Sequence, residues 1–136
     1  MIVGYCPGVF DMFHIGHLNI LRRASEQCDI LVAGVFADAC VAGVKGRGAA
    51  IPEDERLAVV SAIRYVDEAY LDFSQDKRIA WEHRHFDVIF KGSDWFGTEK
   101  ARLLEARMAE IGVEVVYFPY TETTSSTELR KFLDGA

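Results

Sequence analysis

Two histidines three positions apart, His14 and His17, flank Gly16 in the stretch GVFDMFHIGHLNIL, residues 8–21. They follow a strand-like opening and precede an apolar, helix-like run. At a helix start the first backbone N–H groups lack partners and the peptide dipole favours negative charge, so that position suits an anion. Gly16 has no side chain to block a close approach. Two imidazoles on a first helical turn can face one point and donate hydrogen bonds to oxygens whose charge grows during group transfer. The competing reading is a pair of exposed or structurally bonded histidines at a turn.

Other residues could serve the same chemistry. TSSTELR, residues 124–130, has more hydroxyls than the one that a helix cap needs, and Arg130 lies on the following turn. Cations fall in local groups: Lys45 with Arg47, Arg56 with Arg64, Lys77 with Arg78, and Arg130 with Lys131. A pocket can therefore be positive although the chain carries a net charge of −6. KGSDWFG, residues 91–97, supplies Asp94 and Trp95. Asp94 could accept from a bound ligand, help to hold a cation or cap the next helix; Trp95 could be core or interface. Lys91 suits phosphate, against the plainer reading of a solvated lysine after an edge strand.

The elements that must position these groups are readable from pattern. The strands expected are IVGYC (2–6), ILVAGVF (30–36), VDEAYLD (66–72), DVIFKG (87–92) and VEVVYF (113–118). A turn is expected at Pro7 and Gly8. From His14, the residues Ile15, Leu18, Leu21 and Ala24 recur at helical spacing. VAGVKGRGAA (41–50), with no apolar period, reads as a loop. Pro52 suits a first helical position, and the acids Glu53, Asp54 and Glu55 suit the positive end of a helix running to about Tyr65. SQDKRIAWEHRHF (74–86) predicts a helix capped by Ser74, with Ile79, Trp81 and Phe86 as its apolar positions. TEKARLLEARMAEIG (98–112) predicts another, capped by Thr98, with Leu103, Leu104 and Met108 inward and Gly112 as the stop. SSTELRKFLDG (125–135) predicts the last.

Alternating strands and helices imply one α/β domain over residues 1–136, a Rossmann-like doubly wound sheet of five parallel strands. Ligands of such sheets bind beyond the carboxyl ends of the strands, where strand order reverses. The segments expected on that rim hold nearly all the unusual chemistry described above. Composition limits the alternatives. Half the residues are apolar and 26% are charged, as in globular proteins. No apolar run approaches the roughly 20 residues of a membrane span. The three cysteines form no CxxC pair, which fits a reducing cytoplasm better than a disulfide framework or zinc site. The acidic balance argues against nucleic acid as partner.

GVFDMFHIGH resembles the signature of the cytidylyltransferase-like nucleotidyltransferases, most closely the bacterial glycerol-3-phosphate cytidylyltransferase group. ERLAVVSAIRYVDEA, KGSDW and VEVVYFPYTETTSST resemble further segments of that group, in the family's order and across almost the whole chain. The resemblance implies attack of an alcohol's phosphate on the α-phosphorus of CTP, giving a CDP-alcohol and pyrophosphate, with glycerol 3-phosphate the leading acceptor. It assigns His14 and His17 to the triphosphate and the transition state. Val9, Phe10, Gly16, Asp94, Tyr120, Thr124, Ser125, Ser126, Thr127 and Arg130 fall to the nucleotide. Lys45 and Arg47 match two loop lysines, one for the acceptor and one for CTP, in an order that the loop glycines leave open. Lys77, Arg56 and Arg64 fall to the acceptor; the two arginines are eight apart, on one face of a helix. Mg²⁺ is expected to arrive with the triphosphate, and a homodimer is implied.

Two departures stand out. Tyr120 occupies the place of a family arginine, so that Arg130 or Arg47 would have to substitute, and CPG replaces TYG in the first turn. Two other readings compete: adenylyl transfer onto FMN or a sugar phosphate by the same fold, and a nucleotide-binding module without turnover.

Overall fold

The computed structural model of this chain describes residues 1–45, 48–119 and 126–135, the side chains of 43–45 and 126–128 excepted. Five strands, β1 (Val3–Gly8), β2 (Ile30–Phe36), β3 (Glu68–Asp72), β4 (Val88–Gly92) and β5 (Glu114–Phe118), form one parallel sheet in the order β3-β2-β1-β4-β5. The helices are α1 (Ile15–Ser25), α2 (Asp38–Lys45), α3 (Glu53–Ser61), α4 (Lys77–His83), α5 (Glu99–Ala109) and α6 (Ser126–Gly135). The expected doubly wound sheet is thus present. Strand order reverses between β1 and β4, which sets the ligand crevice beyond their carboxyl ends.

Alternation along the strands builds two cores. On one face Leu21 and Ala24 of α1 and Val60 of α3 pack with Cys6, Leu31, Ala33, Val35 and Phe90. On the other, Tyr5, Val32 and Ile89 meet Met108 of α5, Phe86, and Ala80 and Trp81 of α4. Gly34 belongs to this second face, because a Cβ there would collide with the Tyr5 ring and hydroxyl. The amino ends of β1 and β2 are stapled by three aspartates. Asp29, Asp67 and Asp87 accept from the backbone N–H groups of Ile2, Leu31 and Val3 at 2.7, 2.8 and 2.9 Å.

Several boundaries differ from expectation. Pro7 and Gly8 continue β1 beside Gly34 and Val35 instead of turning. Residues 38–45, of which 41–45 are expected in a loop, form α2. Its start is held by a reciprocal pair in which Asp38 N–H donates to Glu53 and Glu53 N–H donates to Asp38, at 2.8 and 3.3 Å, with Val41 buried. Tertiary contacts here override weak propensity. Pro52 is the N-cap of α3, one place before the first helical position. That helix ends at Ser61, where Ile63 N–H reaches back only to the Val60 carbonyl and Ile63 and Val66 turn into the core. The cap of α4 is Asp76, not Ser74, whose hydroxyl accepts from Asp76 N–H instead. Ile79 and Leu103 are exposed, so the inward faces of α4 and α5 are narrower than their apolar residues suggest. The predicted Thr98 cap is present, and Gly112, at φ +71°, adopts the left-handed conformation of a helix stop.

Arg56 and Arg64 do not share a helical face. Arg64 is exposed beyond the end of α3, over the Tyr65 ring and at the amino edge of the sheet. Arg56 is 1% exposed. Its guanidinium donates to the carbonyls of Ile51, Val9 and Phe36 at 2.8, 2.8 and 2.7 Å, and to Asp38 at 2.6 Å. The structure thus places it behind the rim, as a clamp on backbone that leaves β1 and β2.

Removing one partner of a buried charged network leaves the others desolvated and unsatisfied. Arg56→Met is therefore expected to lower unfolding free energy by on the order of 3 kcal/mol. The check is urea denaturation, where the midpoint should fall with little change in slope; a midpoint within error of wild type would remove Arg56 from this role.

Candidate active site at the start of α1

The loop from β1 to α1 is an unusual backbone. Phe10 and Met12 take φ of 54° and 48°, left-handed values that ordinary side chains seldom adopt and that cluster at functional sites. Three contacts hold them there. Phe10 is buried in the first core, Val9 gives its carbonyl to Arg56, and the Asp11 carboxylate between them accepts from Ala50 and Ile51 N–H at 2.8 and 2.9 Å. Arg130 of α6 also donates to Asp11, at 2.8 Å. Burial raises the Asp11 pKa, but these hydrogen bonds outweigh it and bring the carboxyl below its ordinary value. Asp11 thus ties the first loop to residues 50 and 51 and to the last helix.

That loop delivers two interlocked imidazoles. His14 is the N-cap of α1: its Nδ1 accepts from Gly16 N–H at 3.0 Å, while His17 Nδ1 accepts from His14 N–H at 3.2 Å. The rings lie 4.0 Å apart, and the His17 ring also contacts Phe10 and Phe13. An Nδ1 that accepts a hydrogen bond carries no proton, so each neutral ring holds its proton on Nε2. Burial lowers the His14 pKa, which favours this neutral form. The capping box therefore converts two histidines into two Nε2–H donors beside the positive end of a helix, the arrangement needed to hold phosphate oxygens.

The other expected site residues distribute unevenly. Gly16 lies in the first turn of α1 and Val9 and Phe10 in the loop before it. Lys77 is 5% exposed and donates to Asp72 at 2.7 Å and to the Ser74 carbonyl at 2.9 Å, with its ammonium 4.1 Å from the Phe36 ring centre. Asp94 is exposed in a 3-10 turn (Ser93–Trp95) and does not cap α5. Lys91 is the last residue but one of β4, an inner strand and not an edge. The side chains of Lys45, Ser126 and Thr127, together with Arg47, Tyr120, Thr124 and Ser125, lie outside the described residues.

Sequence reasoning missed Asp11, and it missed Tyr5 and Asp72, which form a buried group with Lys77 in which Tyr5 donates to Asp72 at 2.6 Å. One signal was available: Asp11 stands between residues of the histidine motif, where a charge between Phe10 and Met12 needs a partner.

The lowered His14 pKa has a definite sign. The unfolded chain takes a proton near the ordinary value of 6.5, whereas the folded chain resists it until lower pH. His14 should therefore contribute nothing to the pH dependence above that value and should cost stability as pH falls below it. Chemical denaturation across this range should show a decline in wild type that is shallower in His14→Gln; equal slopes would contradict a His14 pKa lowered by burial.

Comparison with known proteins agrees with this geometry. Residues 5–132 match the cytidylyltransferase-like family. The chain is 36% identical to the FAD synthase of Thermococcus kodakarensis, over 93% of this chain and 85% of that one. It is 33% identical to the glycerol-3-phosphate cytidylyltransferase of Bacillus subtilis, over 94% of each. The structure resembles that of a lipopolysaccharide core biosynthesis protein from Thermoplasma volcanium, with a TM-score of 0.78, 29% identity and coverage of 90% of this chain and 99% of the other. With its parallel sheet, its histidine-capped helix at the reversal of strand order and these relatives, the chain belongs to the cytidylyltransferase-like family of nucleotidyltransferases.

Proposed function

We propose that this chain transfers a cytidylyl group from CTP to a phosphorylated alcohol, with glycerol 3-phosphate as the first candidate. An oxygen of the acceptor phosphate attacks the α-phosphorus, a new P–O–P bridge forms, and the bond to the β-phosphate oxygen breaks to release pyrophosphate. The observation that carries this reading is the histidine capping box, which presents two Nε2–H donors at the amino end of α1. The acceptor is already a nucleophile, so neither a covalent intermediate nor a strong base is required. The protein's work is to position the reactants and stabilise charge on the oxygens of the transferred and leaving groups. The hydroxyls of Thr124, Ser125, Ser126 and Thr127, with Arg130, Arg47 and Tyr120, belong to the same proposal as triphosphate ligands.

Mg²⁺ is taken to enter with the nucleotide. Among the described residues no three His, Cys, Asp or Glu side chains are grouped to hold a metal. Asp94, exposed at the rim, is the carboxylate proposed to face the nucleotide. Cytidylyl transfer is supported by the match of near-equal length with the Bacillus subtilis enzyme. A second reading, adenylyl transfer onto FMN, is favoured by the comparable likeness to an FAD synthase and by Tyr120 in the family arginine's place.

Pyrophosphate release, with CTP, ATP, GTP and UTP crossed against glycerol 3-phosphate, FMN and sugar phosphates, separates the readings. Turnover with CTP and a phosphorylated alcohol is expected, falling about 10²–10³-fold in His14→Ala as a transition-state donor is lost. Turnover confined to ATP and FMN would replace the first reading with the second.

A further inference from the structure

Among the described residues, Lys91 is placed as no other cation on this rim. β4 sends Ile89 into the second core beside Tyr5, and Lys91, two residues on, leaves the same face at the strand's carboxyl end. Its ammonium lies 3.8 Å from the centre of the Trp95 ring, a contact that holds a cation without neutralising it. Among the described residues no carboxylate is within ion-pair distance of it. Lys77, the other lysine near it, is by contrast engaged by Asp72, the Ser74 carbonyl and Phe36. Burial and the neighbouring Lys77 charge, opposed by Cys6, Asp94 and Asp72, push the Lys91 ammonium down to about 8. An anion would relieve both penalties.

The side of the sheet says which anion. α1, whose amino end offers the histidine donors, packs with α3 on the first core, and Lys91 stands on the opposite face, under α4 and α5. In-line displacement needs the attacking and leaving oxygens on opposite sides of the reacting phosphorus. With the triphosphate at α1, the attacking group belongs on the far side of the β1–β4 crevice, where Lys91 is. We propose that Lys91 binds the phosphate monoester of the acceptor, while Lys77 holds the surrounding structure in place through Asp72. The inference rests on the transferase reading above and adds to it the residue that selects a phosphorylated acceptor.

The test uses the nucleotide and acceptor pair that wild type turns over. Loss of one charge-assisted contact in Lys91→Met should raise the acceptor KM by roughly tenfold to a hundredfold, with the nucleotide KM unchanged. Lys91→Arg should recover most of the loss. An unchanged acceptor KM, or a rise confined to the nucleotide KM, would overturn the assignment. A second measurement needs no turnover: acetylation of Lys91 in wild type, followed by peptide mass spectrometry. Glycerol 3-phosphate or FMN should slow it and glycerol should not. If no pair in the panel turns over yet a phosphate monoester protects Lys91, the transferase reading fails and the binding site stands. If none protects, the site is wrong even in an active enzyme.

Discussion

The guanidinium of Arg56 is the contact on which the architecture of this candidate site depends. It gathers the carbonyls of Val9, Phe36 and Ile51 and the carboxylate of Asp38 around one buried charge. Those groups belong to the exits of β1 and β2, the start of α2 and the approach to α3. Strand ends in a parallel sheet otherwise leave carbonyls without partners, and burying them costs free energy. One arginine satisfies two of them, together with the Ile51 carbonyl before α3, and thereby sets the path of the loop that carries Phe10, Asp11 and Met12. Asp11 makes the complementary tie, accepting from Ala50 and Ile51 N–H and from Arg130.

From that clamp the chemistry follows in order. The loop holds two left-handed residues, so the chain enters α1 with His14 as cap instead of a small polar residue. The cap fixes one tautomer for both imidazoles and points their protons away from the backbone they cap. Charge is segregated in the same sense along the strands. The amino ends of β1, β2 and the residue before β1 are stapled by Asp29, Asp67 and Asp87, whereas the four buried charged side chains among the described residues, Asp11, Arg56, Asp72 and Lys77, all lie towards the carboxyl rim. Burying charge is costly and is tolerated where partners are dense.

What could be read from the residues alone was what local pattern encodes. A continuous apolar run announced β2, helical spacing announced α1, and two histidines around a glycine marked the turn that became the capped start of α1. What could not be read depends on distant partners. Arg56 has the look of a surface residue in a charged helix, and only the convergence of three loops makes it internal. α2 has weak helical pattern and forms because Glu53, fifteen residues beyond Asp38, completes its first turn. Phe10 and Met12 are neither glycine nor asparagine, so nothing local signals their left-handed backbone. Lys91 divides between a phosphate ligand and a solvated lysine after an edge strand until the sheet order puts β4 inside.

The central claim is that His14 and His17 present Nε2 protons to a triphosphate. Long-range proton–nitrogen NMR on the imidazoles, with and without CTP and Mg²⁺, tests it most directly. The account predicts the Nε2–H tautomer for both rings near neutral pH, kept on addition of CTP with both Nε2 signals displaced. An Nδ1–H tautomer in either ring, or Nε2 signals unmoved by any nucleoside triphosphate, would contradict it.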